Sequence, residues 1–142
     1  MHKKTKGSIG ELCVAASILQ AGWSVLFPFG ENQPYDLVAE KDGKFLRIQV
    51  KYTTPQNGVL TVNCRSSNNW SITPYTVNDF EIIAAYNPSE RISYFIPVSM
   101  VNRSALILRL EKTKNNQQLG VHVAEDFLSF EKALLQPTLG TL

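Results

Sequence analysis

The sequence contains no apolar run long enough to cross a membrane. None of its 142 residues falls in a stretch approaching the roughly 20 consecutive apolar residues that a membrane-spanning helix needs. The basic start at 1–6 and the apolar segment at 12–19 superficially resemble a signal peptide, but the carboxylate of Glu11 stands where the apolar segment should begin. We therefore expect a cytoplasmic protein with a mature N-terminus and no membrane partner.

Cysteine and histidine are scarce, with two residues of each type. Cys13 and Cys64 are not spaced like metal ligands, and a lone pair of cysteines in an intracellular protein is usually reduced. We interpret both as core thiols, and His2 and His122 as surface residues with no metal role. The net charge of +2 is too small to indicate a nucleic-acid partner by itself. Composition thus leaves the function to be inferred from local patterns.

The chain has the length of one domain and shows no internal repeat. Apolar residues at helical spacing predict a first helix at 8–21, closed by Gly22, and a last helix around Phe127, Phe130 and Leu134 with Pro137 beyond it. Between them the pattern predicts strands at 23–27, 35–40, 44–53, 59–65, 80–86 and 92–98, a short apolar segment at 105–110 and a polar loop at 111–120. We predict a single α/β domain, residues 1–142, with a central mixed sheet flanked by helices.

A hairpin joins the strands at 35–40 and 44–53, because Asp42-Gly43 readily adopts the positive backbone angles of a two-residue turn. The second strand of this hairpin alternates between two kinds of side chain. Its apolar face carries Leu46, Ile48 and Val50, and its polar face carries Arg47, Gln49 and Lys51. The polar face is either the solvent side of an ordinary antiparallel strand or part of a functional site.

Asp36 favours the second explanation, because it lies across the hairpin from Gln49 and Lys51. Magnesium prefers oxygen ligands and keeps several waters. The Asp36 carboxylate, the Gln49 amide oxygen and the main-chain carbonyl of Val50 are therefore candidate ligands beside a substrate phosphate. In that position Lys51 could orient or deprotonate the attacking water, or stabilise charge on the phosphate.

These residues resemble the PD-(D/E)XK nuclease superfamily. The resemblance combines Lys6-Gly7 and Glu11 on a helix, then Pro34-Tyr35-Asp36, then Gln49-Val50-Lys51. The Lys-Gly-x-x-Gly-Glu helix start and the Ile-x-Val-Lys strand are similar to archaeal Holliday-junction resolvases. Further along, the sequence resembles the later strands of small intron-encoded homing endonucleases of bacterial type at Tyr75, Asp79, Tyr86, Tyr94 and Pro97. The resemblance covers roughly residues 4 to 97.

The resemblance implies a restriction-endonuclease-like core and a DNA endonuclease that uses Mg²⁺, with Mn²⁺ as a substitute. Asp36 corresponds to the principal metal ligand, Gln49 to the acidic ligand position, Lys51 to the catalytic lysine and Glu11 to a carboxylate borne on the helix. In this chain Gln49 supplies a neutral amide where the family has a carboxylate, so the site has one negative charge fewer. Glu11 also has a structural alternative, because Ser8-x-x-Glu11 matches a capping box.

Basic and amide side chains supply candidates for DNA binding. Basic residues position phosphates, whereas Asn and Gln can pair with adenine edges. The candidates are Lys3, Lys4, Lys6, Arg47, Arg65, Asn68, Asn69, Lys112 and Lys114, with Asn57, Asn63, Asn115, Asn116, Gln117 and Gln118 as further amides. Because one small domain offers one active site, cutting both strands of a duplex implies a homo-oligomer, either a dimer or a tetramer.

Three functions are compatible with this pattern. The first is a sequence-specific double-strand DNA endonuclease of homing or restriction type. The second is a Holliday-junction resolvase with the same residues and a different substrate. The third, suggested by Gln49, is a DNA-binding module that has lost catalysis.

Overall fold

The computed structural model describes residues 1–67, 72–74, 79–101, 104–111 and 122–134. Tyr75, Asn68, Asn69, Pro137 and nearly all of the predicted loop at 111–120 lie outside these ranges. No helix among the described residues is long and apolar enough to span a membrane.

The first helix, α1, spans Lys3–Gln20 and begins earlier than the predicted start at Ser8. It starts there because His2 is extended and its Nδ1 atom accepts a hydrogen bond from the Lys4 amide at 3.1 Å, which caps the first turn. The helix ends before Gly22, whose φ of +91° confirms the predicted left-handed residue. The apolar spacing that predicted this helix included Leu12 and Leu19. Both leucines are exposed, so they do not belong to the face that packs on the sheet. The buried face consists of Gly10, Val14, Ala15 and Ile18.

Ten strands occur within the described residues, and a second helix, α2, spans Phe130–Leu134. The strands are β1 (Ser24–Leu26), β2 (Leu37–Lys41), β3 (Lys44–Tyr52), β4 (Val59–Asn63), β5 (Arg65–Ser67), β6 (Ile72–Pro74), β7 (Ile82–Asn87), β8 (Ile92–Pro97), β9 (Ala105–Arg109) and β10 (His122–Val123). The predicted strand at 59–65 is therefore two strands interrupted at Cys64. The segment around Phe127 is a separate 3-10 turn, Ala124–Phe127, before α2.

The main sheet has the strand order β1-β2-β3-β7-β8. All neighbours are antiparallel except β3 and β7, so the predicted mixed sheet is confirmed. The β2–β3 turn has φ values of 52° at Asp42 and 83° at Gly43, as predicted for the hairpin. Strand β7 is buried along its whole length, which agrees with its continuous apolar sequence and its position inside the sheet.

The two faces of this sheet are covered differently. Both helices pack on one face, where Ile18, Ile48 and Phe130 belong to a common core. The other face carries Ile83, Tyr94 and Ile96 and packs against a second sheet with the order β10-β9-β4. Among the described residues, α1 and α2 therefore flank the same side of the sheet, and the polar residues of β3 lie on the side of the second sheet. The two cysteines are free thiols, with Cys64 buried and Cys13 half-buried.

Candidate active site

Asp36 immediately precedes β2 and is held by two bonds to β3. Its main-chain N–H donates to the Ile48 carbonyl at 2.9 Å, and its Oδ2 atom accepts a hydrogen bond from the Val50 amide at 2.7 Å. The ladder pairs Leu37 with Ile48, and Asp36 directly precedes Leu37. The hairpin therefore brings Asp36 to the strand that bears Gln49 and Lys51, as predicted.

Glu11 approaches Asp36 because α1 packs closely on β3. The close approach occurs at Gly10, where a Cβ atom would lie 3.3 Å from Val50 Cγ1. Burial raises the pKa of the Glu11 carboxyl, and the negative charge of Asp36 raises this pKa further. The two carboxylates are thus close enough to interact electrostatically.

The capping-box explanation for Glu11 is wrong, because Ser8 lies inside α1 and does not begin it. The Ser8 hydroxyl donates to the Lys4 carbonyl at 3.1 Å, while His2 provides the cap. Glu11 is therefore not engaged in that motif and lines a groove together with Asp36.

Burial also raises the pKa of the Asp36 carboxyl. The hydrogen bond from the Val50 amide and the positive charge of Lys51 lower this pKa, but burial has the larger effect. Lys51 is therefore close enough to Asp36 for its charge to act on the carboxyl. Glu11, Asp36 and Lys51 therefore form one electrostatic cluster.

Lys51 lies near the end of β3, where several bonds fix the backbone. The Thr53 hydroxyl donates to the Lys51 carbonyl at 3.2 Å, and the Thr53 amide donates to the Tyr86 carbonyl at 2.8 Å. The Lys51 Nζ atom lies 3.5 Å from the carbonyl oxygen of Arg65. Thr53 is a supporting residue that the sequence pattern did not single out, although it directly follows the strand that bears the lysine.

Gln49 lies between Arg47 and Lys51 on the same face of β3, and all three residues are half-buried. A solvent-facing strand would expose them, so the structure argues against the first explanation of the alternating pattern. Gln49 pairs in register with Ile83 of the neighbouring parallel strand.

Two grooves are lined by residues of this cluster. A groove of about 540 Å³ contains Glu11 and Asp36 and is bounded by the start of α1 and by the loop around Phe27 and Gly30. A second groove, of about 380 Å³, contains Lys51 and runs along the outer side of β4 past Thr61 and Asn63. The two carboxylates therefore line one groove and the lysine lines the other.

A sequence model of the PD-(D/E)XK endonuclease family matches residues 1–130. The chain belongs to the PD-(D/E)XK endonuclease family. The superfamily suggested by the motifs is therefore confirmed over most of the chain.

Known proteins similar to this member of the family include a solved structure and a phage protein. The structure of a bacterial homing endonuclease, I-Ssp6803I, is similar with a TM-score of 0.69 and 30% sequence identity, covering 83% of this chain and 84% of that chain. This match confirms the expected restriction-endonuclease-like fold. Protein 5.3 of Escherichia phage T7 is 34% identical over 79 residues, which are 55% of this chain and 67% of the phage protein.

The oxygen donors at this site suit a hard divalent cation. No three His, Cys, Asp or Glu side chains gather into a metal cluster within the described ranges. Magnesium does not require such a cluster, because one or two carboxylates, neutral oxygens and waters suffice beside a substrate phosphate. The negative charges of Glu11 and Asp36 also repel each other, and a bound cation would relieve that repulsion. The residues present therefore fit the metal that the family resemblance implies.

The DNA-binding candidates have different surroundings in the structure. Lys3 and Lys4 are exposed at the start of α1, and Lys4 lines the groove of Glu11 and Asp36. Lys6 is half-buried, with its Nζ atom 5.9 Å from the centre of the Tyr52 ring. Arg65 is exposed beside Lys51. The candidates that lie outside the described residues are Asn68, Asn69, Lys112, Lys114, Asn115, Asn116, Gln117 and Gln118.

Arg47 has a carboxylate partner that sequence reasoning missed. Its Nε atom donates to Glu81 Oε2 at 3.0 Å, its main-chain amide donates to Glu81 Oε1 at 3.0 Å, and the Glu81 amide donates back to the Arg47 carbonyl at 3.0 Å. The hydrogen bonds to Glu81 raise the pKa of the Arg47 guanidinium. This reciprocal pairing joins β3 to the start of β7 and favours a structural role over phosphate binding.

Proposed function

We propose that this protein is a metal-dependent, sequence-specific endonuclease that hydrolyses phosphodiester bonds in double-stranded DNA. The observation that carries the proposal is the bond between Asp36 and the Val50 amide, because it fixes a carboxylate between Glu11 on α1 and Lys51 on β3. Family membership and the homing-endonuclease neighbour support nuclease chemistry on DNA.

In this proposal the metal ligands are Asp36, the Gln49 amide oxygen, the Val50 carbonyl and Glu11. The amide and carbonyl of one strand residue point towards the same side of the strand. Because the Val50 amide donates to Asp36, the Val50 carbonyl also points towards Asp36, beyond the end of β2. Mg²⁺ bound there, or Mn²⁺ in its place, would neutralise phosphate charge and favour ionisation of the attacking water.

Lys51 has the role of stabilising negative charge on the phosphate or orienting the water. Its charge acts on Asp36, and its Nζ atom lies 3.5 Å from the Arg65 carbonyl. An ammonium positioned in this way would act on the charge that develops at phosphorus during hydrolysis. Lys3, Lys4 and Lys6 at the beginning of α1 would hold neighbouring phosphates.

Cutting both strands requires two such sites, since each chain has one. We propose that the active form is a homo-oligomer, a dimer or a tetramer, in which symmetry places one site on each strand.

The amide at Gln49 supports a second candidate function, a DNA-binding module without catalysis. The amide removes one negative charge from the cation site, so the affinity for metal would be lower than with a carboxylate. This candidate predicts DNA binding with no cleavage under any metal condition.

The test is a cleavage assay on a library of randomised duplexes and on a four-way junction, with Mg²⁺, with Mn²⁺ and with a chelator. We expect metal-dependent cutting of a particular duplex sequence. Asp36→Asn should lower the cleavage rate by more than about a hundredfold, since loss even of an outer-shell metal partner costs up to that much. Asp42→Asn is the matched control, because Asp42 lies in the hairpin turn, where Asn tolerates the positive φ.

Each alternative has its own outcome in this assay. Preferential cutting of the junction would replace the duplex endonuclease by a resolvase. Duplex binding without cutting in either metal would support the silent module and overturn the endonuclease. Equal cleavage by Asp36→Asn and Asp42→Asn would show that the active site lies elsewhere.

A further inference from the structure

Strands β4 and β9 form an antiparallel ribbon with one buried and one outward face. Leu60, Val62 and Leu108 point into the core between the two sheets. The alternate residues form the outward face, where Val59 pairs with Arg109, Thr61 with Ile107 and Asn63 with Ala105. We call this set the ribbon face.

The ribbon face adjoins the proposed active site. Val59, Thr61 and Asn63 line the same groove as Lys51. At the end of β4 nearest the site, the Lys51 Nζ atom lies 3.5 Å from the Arg65 carbonyl. The ribbon face therefore begins beside the catalytic lysine proposed above and leads away from it through Thr61.

The side chains of the ribbon face have the chemistry of base readout. Ile107 is 53% exposed in the middle of the ribbon, beside the hydroxyl of Thr61. Arg109 is exposed at the far end. An aliphatic side chain contacts the methyl group of thymine, a threonine hydroxyl bonds to base edges, and an arginine binds both acceptors of guanine. The Asn63 carbonyl oxygen is already bonded to the Arg65 amide at 2.9 Å, so we do not assign a base to it.

The dimensions of the ribbon also match DNA. The major groove, about 12 Å wide, admits a two-stranded ribbon. Successive outward residues of an antiparallel strand are roughly 6.8 Å apart, since each residue advances about 3.4 Å. This spacing corresponds to two base-pair steps of about 3.4 Å each. Consecutive outward residues can therefore reach alternate base pairs.

We infer that the ribbon face enters the major groove beside the cleavage site and that Thr61, Ile107 and Arg109 select the target sequence. This inference rests on the proposed function, because it requires duplex DNA at Lys51. It adds a reading surface that is separate from the metal ligands and from the basic start of α1.

The test compares target sequences selected from a randomised duplex library by the wild type, Thr61→Val, Ile107→Ala and Arg109→Ala. Each variant should lose preference at its own base position, and Arg109→Ala should lower discrimination at a guanine by roughly fivefold to a hundredfold. Phe45→Ala and Lys44→Ala are matched controls, since both residues are exposed near the hairpin turn, away from the Lys51 end of β3. These controls should retain the wild-type preference.

Selection by binding, using full-length Asp36→Asn as the parent, makes the same comparison without cleavage. If the wild type binds DNA and does not cut, the proposed function fails, and binding selection alone decides the inference. Unchanged preferences in all three ribbon variants would overturn the inference and leave the nuclease intact. If the ribbon variants keep the wild-type base preferences but no longer form oligomers in light scattering, the ribbon face would instead be a contact surface for a second copy of the chain. Absence of any DNA binding by the wild type would overturn both proposals.

Discussion

The carboxylate of Asp36 is anchored to the main chain of β3, because its Oδ2 atom accepts the amide hydrogen of Val50 at 2.7 Å. A bond to a backbone amide does not depend on a neighbouring rotamer, so the carboxylate position follows from the hairpin itself. The second carboxylate oxygen is then the atom available to a cation. The same bond places Asp36 within electrostatic reach of both Glu11 and Lys51.

Asp36→Asn should raise the thermal stability of the metal-free protein at neutral pH. Burial holds the pKa of Asp36 above its ordinary value of 3.8, so the folded state favours the protonated carboxyl. The stabilisation that the protonated Asp36 carboxyl gives to the folded state is fully present below pH 3.8. It is lost as the pH rises through the raised pKa. Asparagine does not titrate, so the variant avoids this loss. Thermal unfolding in chelator across the pH range should show an advantage that shrinks towards acidic pH. The compared quantity is the difference in stability between the variant and the wild type. A difference that is smaller at neutral pH than at acidic pH would contradict this explanation.

Gly10→Leu should destabilise the fold by about 1–3 kcal/mol, because side-chain atoms would be forced against β3. A Cβ at this position already lies 3.3 Å from Val50 Cγ1. The displaced helix should also withdraw Glu11 and reduce metal binding. Gly7→Ala is the matched control, since a Cβ there meets nothing within 4 Å and alanine favours the helix by about 0.5–1 kcal/mol. Denaturant unfolding measures both changes, and equal effects of the two variants would contradict the close-packing argument.

Arg47→Ala should cost about 1–3 kcal/mol of stability, because it leaves the half-buried Glu81 carboxylate without its ion-pair partner. The control is Lys41→Ala, which removes an exposed pair with Glu131 at 3.7 Å, a contact worth about 1 kcal/mol or less. The salt dependence of DNA affinity should be unchanged in Arg47→Ala, since its guanidinium is bonded to Glu81. A clearly shallower salt dependence would restore Arg47 as a phosphate ligand.

The sequence predicted the hairpin and the position of Asp36 because both depend on local rules. Asp42-Gly43 specifies the turn, and strand alternation then determines which side chains share a face. The start of α1 was predicted too late, since Ser8 matches a capping box while the cap is formed by His2. Histidine is not among the residues preferred at a helix N-cap, so the sequence pattern did not indicate the start at Lys3.

Tertiary features were less accessible from the sequence. The Arg47 and Glu81 pair joins residues on β3 and before β7, and nothing in either segment indicates the other. The second sheet was also missed, because β9 and β10 are short and β9 pairs with β4 across a long separation in sequence. The burial of Gln49 and Lys51 and the ribbon face both depend on that sheet. Local patterns therefore predicted the site residues but not the surface that surrounds them.

Gln49→Glu should strengthen cation binding by on the order of tenfold, because it adds a negative charge next to Asp36. Without metal, the added charge should lower thermal stability through repulsion of the existing carboxylates. Gln20→Glu is the control, since Gln20 is exposed at the end of α1. Calorimetric titration with Mg²⁺ measures the affinity. Unchanged affinity in both variants would mean that Gln49 does not face the cation.

The most direct test of the nuclease site compares Lys51→Met with Lys44→Met, two lysines on the same strand. On the selected duplex with Mg²⁺, Lys51→Met should slow cleavage by about a hundredfold to ten-thousandfold, because a positioned group assisting proton transfer or charge stabilisation contributes that much. DNA binding should persist in both variants, and Lys44→Met should cut at the wild-type rate. Cleavage by Lys51→Met at the wild-type rate would contradict the assignment of the active site to Asp36, Gln49 and Lys51.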